Sequence, residues 1–272
     1  MKIDIKNLEN DYFKSFKKNN DYYNILFETF FGFNEIKEFF QKNDSEKSIL
    51  EIGCGSAILL KIFSRNYPNL KFFGIDPFNA GFKKFKLFYN DDSNIKVQES
   101  KIENYKTNLK FDIIFSINVI EHVKDWKQYI ISSNKLLKKG GKNIILCPNY
   151  DFPYESHYKI PIIFNKKITN FFFRKKITHQ EIKEDAIGHW NDLNFIKKKK
   201  ITNYLNKLNL DYYFDSDIKE RIIKRMDYDK GLIKRQGLIG KLASISNKIK
   251  LDKFLFDKLK IPFPYMKLII NN

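Results

Sequence analysis

The sequence predicts an α/β fold, a doubly wound and mainly parallel sheet with helical elaborations. Short β-branched and aromatic runs alternate with helical runs between residues 48 and 147. The connections are long enough for right-handed crossovers. A glycine turn joins the first strand to the first helix. In order, Ser48–Ile52 is a strand, followed by the turn and a helix carrying Leu59, Leu60 and Phe63. Lys71–Asp76 is the second strand and Ala80–Phe88 the second helix. Asn94–Gln98 and Phe111–Ile117 follow as strands. A helix over Asp125–Leu137 leads through Lys139-Gly140-Gly141 into the strand Asn143–Cys147.

Beyond Pro148 the pattern changes. Residues 149–196 contain His157, His179 and His189 but no long regular repeat. A helix over Ile196–Leu208 opens on the solvated run Lys197–Lys200, and Asp211–Asp215 is an amphipathic strand. Leu238, Leu242, Ile245 and Ile249 share one helical face, and Tyr265–Ile270 reads as the last strand. Residues 1–45, with Phe27, Phe30, Phe31, Phe39 and Phe40 at helical spacing, form an N-terminal helical cap. Residues 46–150 form the ligand-binding core, and 151–272 complete the sheet with substrate-side loops and helices.

The 272 residues are 43% hydrophobic, enough for a packed core, and no apolar run approaches the ~18–20 residues of a membrane span. Met1-Lys2-Ile3-Asp4-Ile5-Lys6 lacks the apolar stretch of a secretory leader, so a cytoplasmic chain is expected. Cys54 and Cys147 are too few for a disulfide framework or a thiolate zinc site. The net charge is +18, yet only five of the 50 basic residues are arginine. Scattered lysine suits a compositional bias better than dedicated phosphate reading, which draws on the arginine fork. The positive field would still attract an anionic small molecule.

Ile49-Leu50-Glu51-Ile52-Gly53-Cys54-Gly55-Ser56-Ala57 carries the most chemistry. Glycines allow a tight turn and close approach of a ligand to the backbone, at a helix N-terminus with free N–H groups. A dinucleotide turn needs a third glycine where Ile58 stands, and no Walker lysine is present. Asp76, at the tip of the second strand, is placed to accept both hydroxyls of a ribose. Glu51 is placed to meet a donor beneath the ligand.

Glu51–Ala57, Gly74-Ile75-Asp76-Pro77, Phe111-Asp112-Ile113-Ile114-Phe115-Ser116 and Leu136-Leu137-Lys138-Lys139-Gly140-Gly141 together resemble the class I S-adenosylmethionine-dependent methyltransferases, over residues 45–150. The resemblance implies a Rossmann-like seven-stranded sheet whose last strand is antiparallel. It also implies S-adenosylmethionine as cofactor. Gly53, Cys54 and Gly55 would pass under its methionine portion, and Asp76, beside Pro77, would bind its ribose. Ser100 and Lys101 would flank the adenine; Ile117 and Asn118 would lie near the methionyl group.

Asn118-Val119-Ile120-Glu121-His122 is similar to the Glu-x-x-Glu-His segment of ubiquinone-biosynthesis O-methyltransferases and small-RNA methyltransferases, whose acids and histidine hold a divalent ion. Asn118 stands here for the first glutamate, so no metal is expected, and Glu121, His122 and His157 are the expected catalytic residues. Cys147–Tyr158 offers Tyr150, Tyr154 and Tyr158 as faces for a sugar or base. His189 reads as a satisfied loop histidine. The expected acceptor is a small hydroxylated molecule, anionic or sugar-like. The alternatives are an RNA ribose methyltransferase and a cofactor-binding module without turnover.

Overall fold

The computed structural model describes residues 22–41, 46–78, 94–184, 186–249, 251 and 254–272. The helix expected over Ala80–Phe88 lies outside them, as do residues 1–21 and 42–45 of the N-terminal cap. Seven strands form one sheet: β1 (Ser48–Ile52), β2 (Lys71–Asp76), β3 (Ile95–Glu99), β4 (Phe111–Ile117), β5 (Leu137–Pro148), β8 (Asp211–Phe214) and β9 (Tyr265–Asn271). Their order is β3-β2-β1-β4-β5-β9-β8. The first five pair in parallel, and β9 runs antiparallel to both β5 and β8. Chain order and strand order reverse between β1 and β4, the crevice where open α/β sheets bind ligands.

Near-continuous apolar runs make the central strands, because both faces of the sheet are covered. On one face lie α1 (Tyr22–Ile36) and α2 (Ile58–Asn66), with Phe33 stacked 5.0 Å from Phe63. On the other lie α3 (Trp126–Lys135) and α6 (Lys198–Lys207), contributing Tyr129, Ile130, Ile201 and Leu205. Lys267 of β9 is fully buried yet bonded to the Glu35 carbonyl at 2.9 Å and the Glu35 carboxylate at 3.1 Å, with Glu38 also in contact. That pairing satisfies an otherwise costly buried charge and ties α1 to the sheet.

Two expectations need correction. β5 begins at Leu137, because Gly140 (φ +76°) and a register shift opposite Phe111 and Ile113 let the glycine pair join the strand rather than precede it. The stretch with no expected repeat holds α4 (Lys166–Lys183), an 18-residue helix. It shows no apolar stripe because only Thr169 and Ile177 are buried along it. Leu242, Ile245 and Ile249, expected on one helical face, are more than half exposed. They lie on or just after α9 (Gly237–Lys248), which follows α7 (Ile218–Tyr228) and α8 (Lys230–Arg235). Among the described residues no helix is long and apolar enough to cross a membrane.

Candidate active site

The glycine turn and the tip of β2 form one cradle. Gly53 and Gly55 have φ of +76° and +50°. The Gly53 and Cys54 amides donate to the Ile75 carbonyl at 2.7 and 3.2 Å. Gly55 N–H donates to Asp76 Oδ2 at 3.0 Å and Phe78 N–H to Oδ1 at 2.6 Å, which fixes the carboxylate while each oxygen keeps a lone pair for a ligand. Burial raises the Asp76 pKa despite these bonds. Cys54 is buried, and a Cβ on Gly74 would lie 2.7 Å from its sulfur, so it fills the loop. Burial, then neighbouring Asp76, pushes Glu51 well above the ordinary carboxylate range, and its Oε2 is buried without a partner.

Those features fit a nucleoside cofactor: an orphan buried acceptor, a turn with no room for a side chain at Gly53, and a fixed acid where a ribose diol is expected. Ser100 lies at the end of β3, its amide bonded to the Asp76 carbonyl at 3.1 Å, with Lys101 exposed beyond it. Pro77 follows Asp76 and is half-buried. Ile117 ends β4 and packs toward Gly32 of α1. Asn118 follows in the left-handed region (φ +55°), and its Oδ1 accepts from the Tyr265 hydroxyl at 2.8 Å.

The second group lies past the end of β4. Ile120–His122 is a single 3-10 turn in which Glu121 is fully buried, with both carboxylate oxygens lacking a hydrogen-bond partner. Burial raises its pKa to about 7. His122 Nε2 is 3.8 Å from Glu121 Oε1. Burial, with His157 and His189 adding to it, draws His122 well below the usual histidine value and keeps it neutral.

His157 sits on the hairpin β6 (Tyr154–Glu155) and β7 (Ile160–Pro161), where Nδ1 is 2.6 Å from Glu155 Oε1. Burial alone would lower its pKa, but the Glu155 carboxylate outweighs burial and raises it to about 8. The rings of His122 and His157 are 5.1 Å apart, so the three expected catalytic residues do converge.

Glu121, His157 and Asn118 line one end of a cavity of ≈780 Å³. The remainder is mostly apolar, with Ile222, Met226, Leu242, Phe256 and Phe263 in its wall. The tyrosine expectation is corrected. Tyr150 is stacked on Phe195 at 4.8 Å and Tyr158 is packed edge-on to Trp190, so both are core; Tyr154 alone of the three lines the cavity.

Three contributors were not assigned from sequence. His189 opens α5 (His189–Asp192), its ring 4.7 Å from His122, and its Nε2 is buried and unpartnered rather than satisfied. Asn194 Nδ2 donates to the Ile120 and Val123 carbonyls at 2.6 and 2.9 Å, clamping the turn that carries Glu121 and His122. Glu155 anchors His157, a role hinted at only by the Glu-x-His spacing.

The seven-stranded sheet, with its last strand antiparallel, is that of a methyltransferase fold. The chain matches the profile described as "Methyltransferase domain" over residues 29–211, and it belongs to that family, which uses S-adenosylmethionine. It is 30% identical over 165 residues to the uncharacterized protein Rv1509 of Mycobacterium tuberculosis H37Rv, a match covering 59% of this chain and 56% of that protein. It is 25% identical over 197 residues to a ubiquinone biosynthesis O-methyltransferase of Rickettsia akari, covering 72% and 68% of the two chains.

Among solved structures, phosphoethanolamine N-methyltransferase 2 of Haemonchus contortus with S-adenosyl-L-methionine superposes with a TM-score of 0.56 at 14% identity, over 96% of this chain and 60% of that one. The plantazolicin methyltransferase BpumL, in complex with a monoazolic desmethylPZN analog and SAH, gives 0.55 at 13% identity over 98% and 93%. These two likenesses concern the fold.

Proposed function

We propose that the chain moves a methyl group from S-adenosylmethionine to an oxygen of a small acceptor whose body is largely apolar. The observation that carries this reading is Glu121: a fully buried carboxylate with two unpartnered oxygens at the polar end of an apolar cavity. The cofactor supplies an electrophilic methyl group open to in-line displacement. Toward it, the Gly53-Cys54-Gly55 turn gives close backbone approach, Asp76 takes the ribose diol, and Glu51 meets a donor from below. Pro77, Ser100 and Lys101 border the adenine, while Ile117 and Asn118 border the methionyl group.

On the acceptor side, Glu121 receives the hydroxyl proton. A carboxyl with a pKa of about 7 is matched to that task at neutral pH. His122, neutral, flanks that carboxylate, its Nε2 3.8 Å from Oε1. In the metal-free chain His157, cationic below about pH 8, offsets negative charge growing on the acceptor oxygen. The name of the Rickettsia relative supports oxygen as the methylated atom, and the apolar wall supports an acceptor with more carbon surface than a bare sugar.

Supplying methyl-labelled cofactor with a panel of phenols, hydroxylated amphiphiles, free saccharides and RNA tests the reading. Label is expected as an ether in the organic-extractable products. Label on nitrogen, on RNA or on free saccharide would overturn it.

A further inference from the structure

We propose that His122, His157 and His189 form a binding site for a first-row transition-metal dication of the zinc type, at the acceptor end of the cavity. One ring nitrogen of each lies within 4.8 Å of those of the other two, and the ring centroids are 4.7 to 5.4 Å apart. Nitrogens bound tetrahedrally at 2.0–2.1 Å lie about 3.3 Å from one another. Small ring rotations therefore close the set around an ion.

The three ligands come from separate elements: the turn after β4, the β6–β7 hairpin and the start of α5. Each is fixed independently. Asn194 clamps the turn of His122. Trp190 N–H donates to Glu181 Oε1 at 2.8 Å and secures the turn of His189. Glu155 engages His157 Nδ1 and leaves Nε2 for a ligand, the carboxylate–histidine arrangement that orients metal-binding imidazoles.

A histidine cluster built for packing would satisfy its own nitrogens. Here no hydrogen bond links the three rings among the described residues, and His189 Nε2 is buried with no partner. The empty oxygens of Glu121, one of them 3.8 Å from His122 Nε2, supply the negative charge a dication needs.

Donor chemistry selects the ion. Three imidazoles suit zinc, cobalt or nickel rather than magnesium or calcium, which take oxygen donors. Asn118 does not complete an acid-rich set, since its Oδ1 already accepts from Tyr265. The other cluster of possible ligands among the described residues, Glu35, Glu38 and Asp215, is closed around the Lys267 ammonium. Of the three histidines, His157 lines the cavity, and an acceptor oxygen that reached the fourth position of the ion would be polarised. That last consequence rests on the acceptor reading above; the binding itself does not.

The test uses the tag-free full chain, stripped with chelator and titrated with Co²⁺ while its d–d absorption is followed, with Zn²⁺ added as competitor. S-adenosylhomocysteine affinity is measured in parallel. About one equivalent is expected to bind with a four-coordinate spectrum that Zn²⁺ abolishes. His189→Ala and His157→Ala are expected to weaken binding by roughly 100-fold or more, and Glu155→Gln by roughly 10–100-fold. His179→Ala, an exposed histidine of α4, should bind as the unaltered chain does. Unchanged S-adenosylhomocysteine affinity shows that the variants are folded. Binding no tighter than in the His122/His157/His189 triple alanine variant, or equal loss in His179→Ala, overturns the site. Absent S-adenosylhomocysteine binding would overturn the cofactor assignment while leaving the metal titration readable.

Discussion

A Cβ added at Gly53 would fall 2.3 Å from Cγ2 of Val119, so the cofactor turn and the entry to the catalytic turn touch with no room between them. Gly53→Ala meets that clash and a left-handed φ as well, which alone costs an L-residue about 1–2 kcal/mol. We expect S-adenosylhomocysteine affinity, measured by calorimetry, to fall roughly tenfold or more. Val119→Ala in the same chain removes the clash but not the strain, and should restore part of the loss.

Asp76→Ala and His157→Ala should separate binding from turnover. Hydrogen bonds to a charged acceptor contribute about 1.5–3 kcal/mol each, so losing the ribose contacts should weaken cofactor binding by roughly 10–100-fold or more. His157→Ala should leave cofactor affinity nearly unchanged and lower kcat. Equal loss of affinity in both variants would show that the two groups are one site.

Asn194→Ala removes the donor to the Val123 carbonyl and leaves the Ile120 carbonyl with the Val123 amide alone. Leaving such a group unpaired costs about 1–3 kcal/mol. Urea unfolding should show a loss in that range, and kcat should drop because the Glu121 turn is no longer clamped. An unchanged unfolding midpoint would remove Asn194 from the account.

The strands and the cofactor cradle were legible because their signals are local: apolar runs, two glycines in one turn, an acid at a strand tip. The helix α4 was not, since a helix with two buried residues carries no apolar period. His189 was not legible either. Its relation to His122 and His157 spans separate loops, and only the fold sets those loops side by side. Tyr150 and Tyr158 misled for the converse reason: a tyrosine in a loop after a strand signals exposure, yet Phe195 and Trp190 cover these two.

Ionisation of Glu121 should also register in stability. The folded chain keeps its proton up to about pH 7, whereas a carboxyl with the ordinary value of 4.5 has long released it. The resulting penalty is absent below pH 4.5, grows through that window and is complete above 7, amounting to about 3 kcal/mol. In chelator, Glu121→Gln should therefore gain stability relative to the unaltered chain on going from pH 4.5 to pH 8. Parallel pH profiles of the two proteins would contradict the raised value.

Single-turnover methyl transfer by Glu121→Gln, with cofactor affinity measured on the same sample, tests most directly whether this carboxylate is the proton acceptor beside a separate cofactor cradle. The account predicts S-adenosylhomocysteine binding within about twofold of the unaltered chain and transfer slowed by roughly 10²–10⁴-fold. Transfer at the unaltered rate, or loss of cofactor binding in step with the rate, would contradict it.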